Sequence, residues 1–428
     1  MDELSIAAGP WPNTPTLLDV LLARAADFRS GIVLPSRLVS SSPADIGGYF
    51  HAAVAPDPVS AWQSACGGIG SSALVAQRLA VAEALERYAA ATCSFTLKRR
   101  QELAGMQLID YNQFALYSSA QYATPSFPWK IPDPENTLFG EVFSMEDHHP
   151  VWVPQELIGL GPKAGEAQVP SVSTGLAAHS NALNALYSGL QELLERDALS
   201  CTWLNSLRGR ELQAPSAYLE RVAQKKGEIR IFDLTQTWNP HPVVAVCGFL
   251  PQNNLRRYAF GIACRDSYAE ALDKAWREWL QGTVFAGYLA QRDSDSDAYL
   301  QNFEAHAVHY TRHPQQWAQI PLLQTAEPAR ALPLSPETHG SMHSNLRRLV
   351  EQLAAAGIRS YYRDLTTVDV REAGLTVVRV LSPDLSHLHG DERMPFLGGR
   401  LADVSWRYPE LSRHPLLPFP NPFPHPLG

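Results

Sequence analysis

Two stretches of this chain repeat one arrangement of charge. Glu83-Ala84-Leu85-Glu86-Arg87 and Glu192-Leu193-Leu194-Glu195-Arg196 each set two carboxylates and a guanidinium at i, i+3 and i+4, the spacing that shares one helix face. Leu85, Leu193 and Leu194 point elsewhere, so each helix presents charge from an otherwise apolar body, which is costly to bury without a partner. One such triplet is usually a solvent-facing ion pair. Two in one chain, both on Ala/Leu-rich helices and both preceded by small residues, are far less common at ordinary charged-residue frequencies. Carboxylates converging from two helices suit a hard divalent cation such as Mg2+, which takes oxygen ligands and completes its shell with phosphates. Arg87 and Arg196 would then pair with phosphate oxygens or hold a glutamate in place. Such a site binds a nucleotide through metal and needs no Walker loop, and no G-x-x-x-x-G-K-S/T occurs here.

The elements that must carry these residues follow from pattern. A Gly/Ser-rich loop, Cys66-Gly67-Gly68-Ile69-Gly70-Ser71-Ser72, opens onto the first helix, which runs to about Ala91. Its backbone N–H groups suit an anion or simply a tight cap. Ser171 to Ala178 leads into the second helix, about Asn181 to Trp203, and a third spans Tyr268 to Tyr288. Strands are expected at 138–143, 150–154, 229–234, 242–250, 258–264, 358–365 and 375–381, with a helix at 346–356. The stretch 289–340, rich in Asp, His, Gln and Pro, reads as loops and a peripheral insertion. Phe232-Asp233-Leu234-Thr235 and Arg363-Asp364-Leu365-Thr366 end two of the strands and hint at internal duplication. The mixed order favours an α+β fold, helices packed on mixed or antiparallel sheets, over a doubly wound parallel one. Residues 1–63 read as an N-terminal segment with one amphipathic stretch, Leu17 to Phe28, and 64–428 as the main domain, ending in a proline-rich tail at 415–428.

Bulk composition narrows the function. At 428 residues, 45% hydrophobic and 18% charged, the chain can bury a substantial core. A formal net charge of −8 argues against a nucleic-acid or anionic-membrane partner. There is no signal-like start and no apolar run of the ~18 residues a span needs, so a cytoplasmic location is expected. The five cysteines are scattered, without a C-x-x-C pattern. The 14 histidines show no H-E-x-x-H or other ligand spacing, which argues against a structural transition metal.

Taken in order, the loop and helix at 64–88, Ser173-Thr174-Gly175-Leu176-Ala177-Ala178-His179 running on to Glu192-Leu193-Leu194-Glu195-Arg196-Asp197-Ala198, and Ala271 to Gln281 resemble the signature blocks of YcaO proteins, ATP-dependent enzymes that modify peptide backbones. The tail, Pro418-Phe419-Pro420-Asn421-Pro422-Phe423-Pro424-His425-Pro426-Leu427-Gly428, is similar to that of family members that make azolines in ribosomal peptide products. The resemblance spans about 64–428. It implies a YcaO-like fold with an ATP site between the two Glu-x-x-Glu-Arg helices. Glu83, Glu86, Glu192 and Glu195 would ligate Mg2+, Arg87 and Arg196 would meet the phosphates, and Gly68, Gly70, Ser180, Asn184, Glu278 and Gln281 would line the nucleotide pocket. Alone, Glu278 and Gln281 read as a polar helix face. Leu79 and Ile69 stand where the family often has serine and lysine. Thr174, Ser180 and Asn184 stand where Asn, Asn and Glu are common, and the Asn184 amide would offer Mg2+ a neutral oxygen.

Prolines at every second position favour an extended, pre-ordered tail. Composition alone suggests a disordered tail or a ligand for a Pro-binding domain, whereas the resemblance implies a tail folded back to the active site, with Pro424, Pro426 and Gly428 acting there. The implied activity is cyclodehydration. A Cys, Ser or Thr side chain of a precursor peptide attacks the preceding carbonyl, the amide oxygen takes the ATP γ-phosphoryl group, and phosphate leaves as a thiazoline or oxazoline forms. The implied partners are the precursor peptide, a separate protein resembling ubiquitin-activating enzymes that binds its leader, and an FMN-dependent azoline dehydrogenase, with a homodimer or larger complex expected. The rival readings are a thioamide- or amidine-forming enzyme, a non-catalytic scaffold, and a Pro-rich adaptor.

Overall fold

The computed structural model describes residues 16–29, 31–39, 50–54, 66–161, 165–252, 254–291, 300–325, 327–334 and 340–428. Much of the N-terminal segment, including residues 1–15 and 40–49, therefore lies outside the described residues. The helices of eight residues or more are α1 (Leu17–Ala25), α2 (Ala73–Thr92), α3 (Ala182–Leu204), α4 (Ser216–Gln224), α5 (Tyr268–Ala290), α6 (Phe303–Arg312) and α7 (Met342–Ala355). The strands are β1 (Arg37–Val39), β2 (Phe50–Val54), β3 (Cys66–Gly70), β4 (Leu97–Arg99), β5 (Leu138–Ser144), β6 (Pro150–Pro154), β7 (Leu176–His179), β8 (Arg210–Leu212), β9 (Glu228–Asp233), β10 (Val243–Gln252), β11 (Leu255–Cys264), β12 (Tyr361–Asp364) and β13 (Thr376–Leu381).

These strands form three sheets, ordered β1-β2-β3, β11-β10-β9-β8 and β4-β5-β12-β13-β7, with β6 also on β5. Every strand pairing in them is antiparallel. The fold is thus α+β, as the element order suggests. The boundary placed near residue 63 falls between β2 and β3 of a single sheet.

Three long helices follow three strands, and each opens on a side-chain cap. Ser72, Asn181 and Ser267 accept the backbone N–H of Val75, Asn184 and Glu270, supplying an acceptor that the first helical turn lacks. Close packing sets them on their sheets. A Cβ at Gly68 would lie 2.2 Å from the Ala76 carbonyl oxygen, and one at Gly261 would lie 2.1 Å from that of Ala275. Only glycine lets α2 rest on β3 and α5 on β11 at that distance. This corrects the reading of Cys66 to Ser72 as a loop. Cys66–Gly70 is a strand, and its glycines are there for the helix laid across it.

The stretch 289–340 is also corrected. It contains α6, which turns His306, Val308, Tyr310 and Thr311 inward. With polar His306 and Thr311 on that buried face, the apolar periodicity is weak. The helix is not peripheral, since Thr311 Oγ1 accepts the Tyr258 N–H of β11 at 3.0 Å.

Candidate functional site

α2 and α3 both pack on β7 and β13, while α5 covers β11, whose end reaches α3. Shared sheets therefore turn the charged faces of the helices toward one region. On α2, Glu83 Oε2 accepts the Gly67 N–H at 3.0 Å, and Arg87 lies 3.5 Å from Glu83 and 2.9 Å from Glu86. On α3, Arg196 lies 3.8 Å from Glu192 and 3.5 Å from Glu195, whose Oε2 accepts the Cys264 N–H at 3.2 Å. The two triplets are alike in depth. Glu86 and Glu195 are buried at 9% and 3% exposure, while the side chains of Glu83 and Glu192 keep 35% and 26%.

The electrostatics show that the triplets share a field. Burial pushes the Glu86 carboxyl up to about 7, against Arg87 and with help from Glu192 on the other helix. Burial likewise pushes Glu195 up to about 7, against Arg196, with Glu278 of α5 adding to the rise. For Arg87, burial works against the charge, but Glu86, Glu83 and Glu192 outweigh it and raise its pKa. Arg196 is raised in the same way by Glu195, Glu192 and Glu278. Glu278 ion-pairs with Lys274, and Lys274 and Arg196 hold its carboxyl below the usual range despite burial. Gln281 lies three residues further along α5, partly exposed on the same face.

The donor set fits Mg2+ and a nucleotide. The Nη1 atoms of Arg87 and Arg196 are buried without a hydrogen-bond partner, because the glutamates beside them are out of line or too distant to accept. Phosphate oxygens would satisfy both atoms, and a cation would relieve the burial penalty on Glu86 and Glu195. Among the described residues, the one cluster of His, Cys, Asp or Glu tight enough to hold an ion unaided lies elsewhere. Each glutamate here leans on an arginine instead, an arrangement suited to Mg2+ held jointly by protein and phosphates.

Of the remaining expected site residues, Gly68 adjoins Gly67, whose N–H Glu83 accepts, and the others have no described contact with the triplets. Gly68 and Gly70 face the backbone and Val75 side chain of α2. Ser180 and Asn184 sit at the start of α3, where the Ser180 hydroxyl is 3.2 Å and the Asn184 amide nitrogen 3.4 Å from His179 Nδ1. That is about two helical turns, ~12 Å, before Glu192. The tail does fold back on the domain. Asn421 Nδ2 donates to Trp203 O at 3.0 Å, Trp203 Nε1 to Phe423 O at 2.7 Å, and Tyr310 Oη to Pro424 O at 2.7 Å. Pro424 and Pro426 are buried, and Gly428 lies against Ala307 of α6. The Trp203 contacts are at the C-terminal end of α3, ~12 Å along the helix from Glu195, and those of Pro424 and Gly428 are with α6. No contact described joins Pro424, Pro426 or Gly428 to the glutamates.

Sequence reasoning missed Arg379, Arg265 and Lys274. Arg379 is 1% exposed and donates to Ile158 O at 2.9 Å, Thr174 O at 2.7 Å and Val172 O at 2.9 Å. Burial, and then Arg87, push its pKa down to about 10. Arg265 and Lys274 both act on Glu195 and Glu278. The Lys274/Glu278 spacing was readable as an i, i+4 pair, whereas Arg379 lies on an apolar strand with no local pattern to mark it.

Residues 67–386 match the family described as YcaO cyclodehydratase, ATP- and Mg2+-binding. No curated protein is found to match in sequence. Among solved structures, a heterocyclase in complex with substrate and cofactor aligns over 99% of this chain with a TM-score of 0.76 at 18% identity. The chain spans 60% of that protein's length. YcaO from Methanopyrus kandleri, bound with AMPPCP and Mg2+, aligns over 90% of this chain and 91% of its own, with a TM-score of 0.61 at 19% identity. One chain of the E. coli microcin synthetase McbBCD complex aligns over 84% of this chain and 90% of its own, with a TM-score of 0.57 at 16% identity. The antiparallel α+β fold is shared with these structures. The chain belongs to the YcaO family, whose ligands are ATP and Mg2+. Among the described residues, no helix is long and apolar enough to cross a membrane.

Proposed function

We propose that this protein is an ATP-dependent cyclodehydratase that converts Cys, Ser or Thr of a ribosomal precursor peptide into thiazoline or oxazoline. The observation that carries the reading is the pair of buried Glu-x-x-Glu-Arg faces, each with a guanidinium nitrogen left without an acceptor, in a chain of this family. Glu83, Glu86, Glu192 and Glu195 hold the metal, Arg87 and Arg196 bind phosphate oxygens, and Glu278 and Gln281 line the nucleotide side. Arg379 is a positioning residue. It ties the strand beneath both helices to the loop before β7 and keeps positive charge near Glu86 and Glu192.

An amide oxygen is a poor leaving group. In the proposed reaction the thiol or hydroxyl adds to the preceding carbonyl carbon, the amide oxygen takes the γ-phosphoryl group, and phosphate departs as the ring C=N forms. ADP is the co-product. Mg2+, when bound, stabilises the charge that gathers on the β-phosphate. Arg87 and Arg196 add fixed positive charge in a site screened from water. The buried tail gives this end of α3 a fixed wall against which a peptide can be oriented.

A precursor peptide, a separate leader-binding protein resembling ubiquitin-activating enzymes and an FMN-dependent dehydrogenase are the proposed partners. The structural likeness to a member of a multi-protein microcin synthetase supports that setting. The test is ATP hydrolysis by this protein with and without a Cys/Ser/Thr-rich precursor peptide. Stimulation with loss of water from the peptide supports the reading. Stimulation with sulfur gain in place of water loss would assign thioamide formation instead.

A further inference from the structure

Four residues from three distant parts of the chain meet behind the tail. His306 of α6, His389 and Glu392 of the segment after β13, and His425 of the proline tail bring one ligand atom each to within 4.8 Å of one another. The three histidines are 0%, 2% and 0% exposed. No ligand spacing marks them, because the group assembles only when the tail docks.

The hydrogen bonds around these rings leave their lone pairs turned inward. His306 Nδ1 donates to Asn302 O at 2.8 Å, which in the neutral ring leaves Nε2 as the lone-pair nitrogen, 3.0 Å from Glu392 Oε1. His425 Nε2 donates to His389 O at 2.7 Å, which leaves Nδ1 as a lone pair with no hydrogen-bond partner. Neither ring nitrogen of His389 makes a hydrogen bond, although Nε2 lies 3.3 Å from Glu392 Oε1. Glu392 Oε1 also accepts the His425 backbone N–H at 3.2 Å, but the inward ring nitrogens of His389 and His425 are left buried without a partner. Protons are one answer, but a proton on His306 would pair with Glu392 and still leave the His389 ring nitrogens and His425 Nδ1 buried without partners.

A divalent ion is the other answer, and the outer hydrogen bonds match it. Histidines that bind metals characteristically donate their second ring N–H to a carbonyl, as His306 and His425 both do. Three neutral imidazoles and a carboxylate suit tetrahedral Zn2+, with bonds of about 2.0–2.1 Å reached by modest side-chain rotation. We propose that His306, His389, His425 and Glu392 form a structural site for a divalent first-row transition ion, Zn2+ foremost, which clamps the C-terminal tail to α6 and to the segment after β13. The site shares no residue with the glutamate cluster, so metal binding there can be read separately from nucleotide binding.

The test uses full-length protein stripped with chelator and titrated with Zn2+ by calorimetry and with Co2+ by absorbance. The expected results are stoichiometric Zn2+ binding, a four-coordinate Co2+ spectrum, and slower proteolytic cleavage of the tail when metal is present. His389→Ala should abolish binding, and His425→Gln should weaken it at least ~10-fold through loss of one ligand. His425→Gln alters only the tail, so it reports even if His389→Ala does not fold. A Glu192→Gln/Glu195→Gln variant should keep the Zn2+ site while losing Mg2+–nucleotide binding, which separates the two readings. Absence of stoichiometric Zn2+ binding by the parent, unchanged affinity in His425→Gln, or loss of the Zn2+ site in the glutamate variant would overturn the proposal.

Discussion

Glu195–Arg196 and Asp197–Arg407 are acid–guanidinium pairs rooted within three residues of one helix, and they are built to opposite ends. Both side chains of the Asp197–Arg407 pair are 0% exposed, and they meet at 2.6 Å. Asp197 also accepts the Ser386 N–H at 2.7 Å and the Gln236 amide at 2.6 Å, so its lone pairs are filled by protein. Glu195 is almost as deep, yet it has one backbone donor and an arginine at 3.5 Å whose Nη1 finds no acceptor. The first pair rivets α3 to the segments around 386 and 407. The second is left short of partners, and that shortfall is what a phosphate and a cation can supply.

Breaking the open pair should have the largest effect. Glu192→Ala/Glu195→Ala should lower peptide-stimulated ATP turnover by about a thousandfold or more, ~4 kcal/mol of transition-state stabilisation, with the circular dichroism spectrum unchanged. Breaking the closed pair should cost stability instead. Arg407→Ala strands Asp197 without its charge partner and should lower unfolding stability by about 3 kcal/mol in a denaturant titration. It sits at the low end of such losses because Gln236 and the Ser386 N–H remain on the carboxylate.

Arg379→Met lies between the two cases. It frees the carbonyls of Ile158, Thr174 and Val172, and should destabilise by about 2 kcal/mol while weakening nucleotide binding, seen as a smaller Tm rise on adding ATP and Mg2+.

The smallest effect sharpens the comparison through pH. The folded Glu195 carboxyl titrates near 7, above the ordinary value of 4.5, so ionising it costs stability progressively as pH rises between those values. Glutamine carries no such cost. The Tm of Glu195→Gln relative to its parent should therefore shift toward the variant by a few degrees as pH rises from about 4.5 to 7, in ligand-free protein followed by scanning calorimetry. A gap that stayed constant across that range would show that Glu195 is ordinarily ionised in the ligand-free fold.

Local signals carried much of this to the page. The i, i+3, i+4 spacing located both charged faces, and the small polar caps Ser72, Asn181 and Ser267 mark the starts of the long helices. The repeated Asp-Leu-Thr phrase proved to be the same turn built twice. Asp233 and Asp364 accept the N–H of Thr235 and Thr366, whose hydroxyls accept those of Val243 and Val377. What stayed hidden depends on long-range packing. Gly68 and Gly70 imitate a loop until the helix that covers them is known, and α6 buries polar side chains that blur its period. Arg379 meets its partners across more than 200 residues of chain, and the four residues behind the tail are likewise brought together only by folding.

The central claim is that the two Glu-x-x-Glu-Arg helices drive ATP-dependent removal of water from a peptide backbone. It is tested most directly by mass spectrometry of a Cys/Ser/Thr-rich precursor peptide after incubation with this protein, a leader-binding partner protein, ATP and Mg2+. The expected result is loss of one water per modified residue, matched by ADP and phosphate, and absent with Glu192→Ala/Glu195→Ala. Unmodified peptide with the parent protein, or water loss that persists in the double variant, would contradict it.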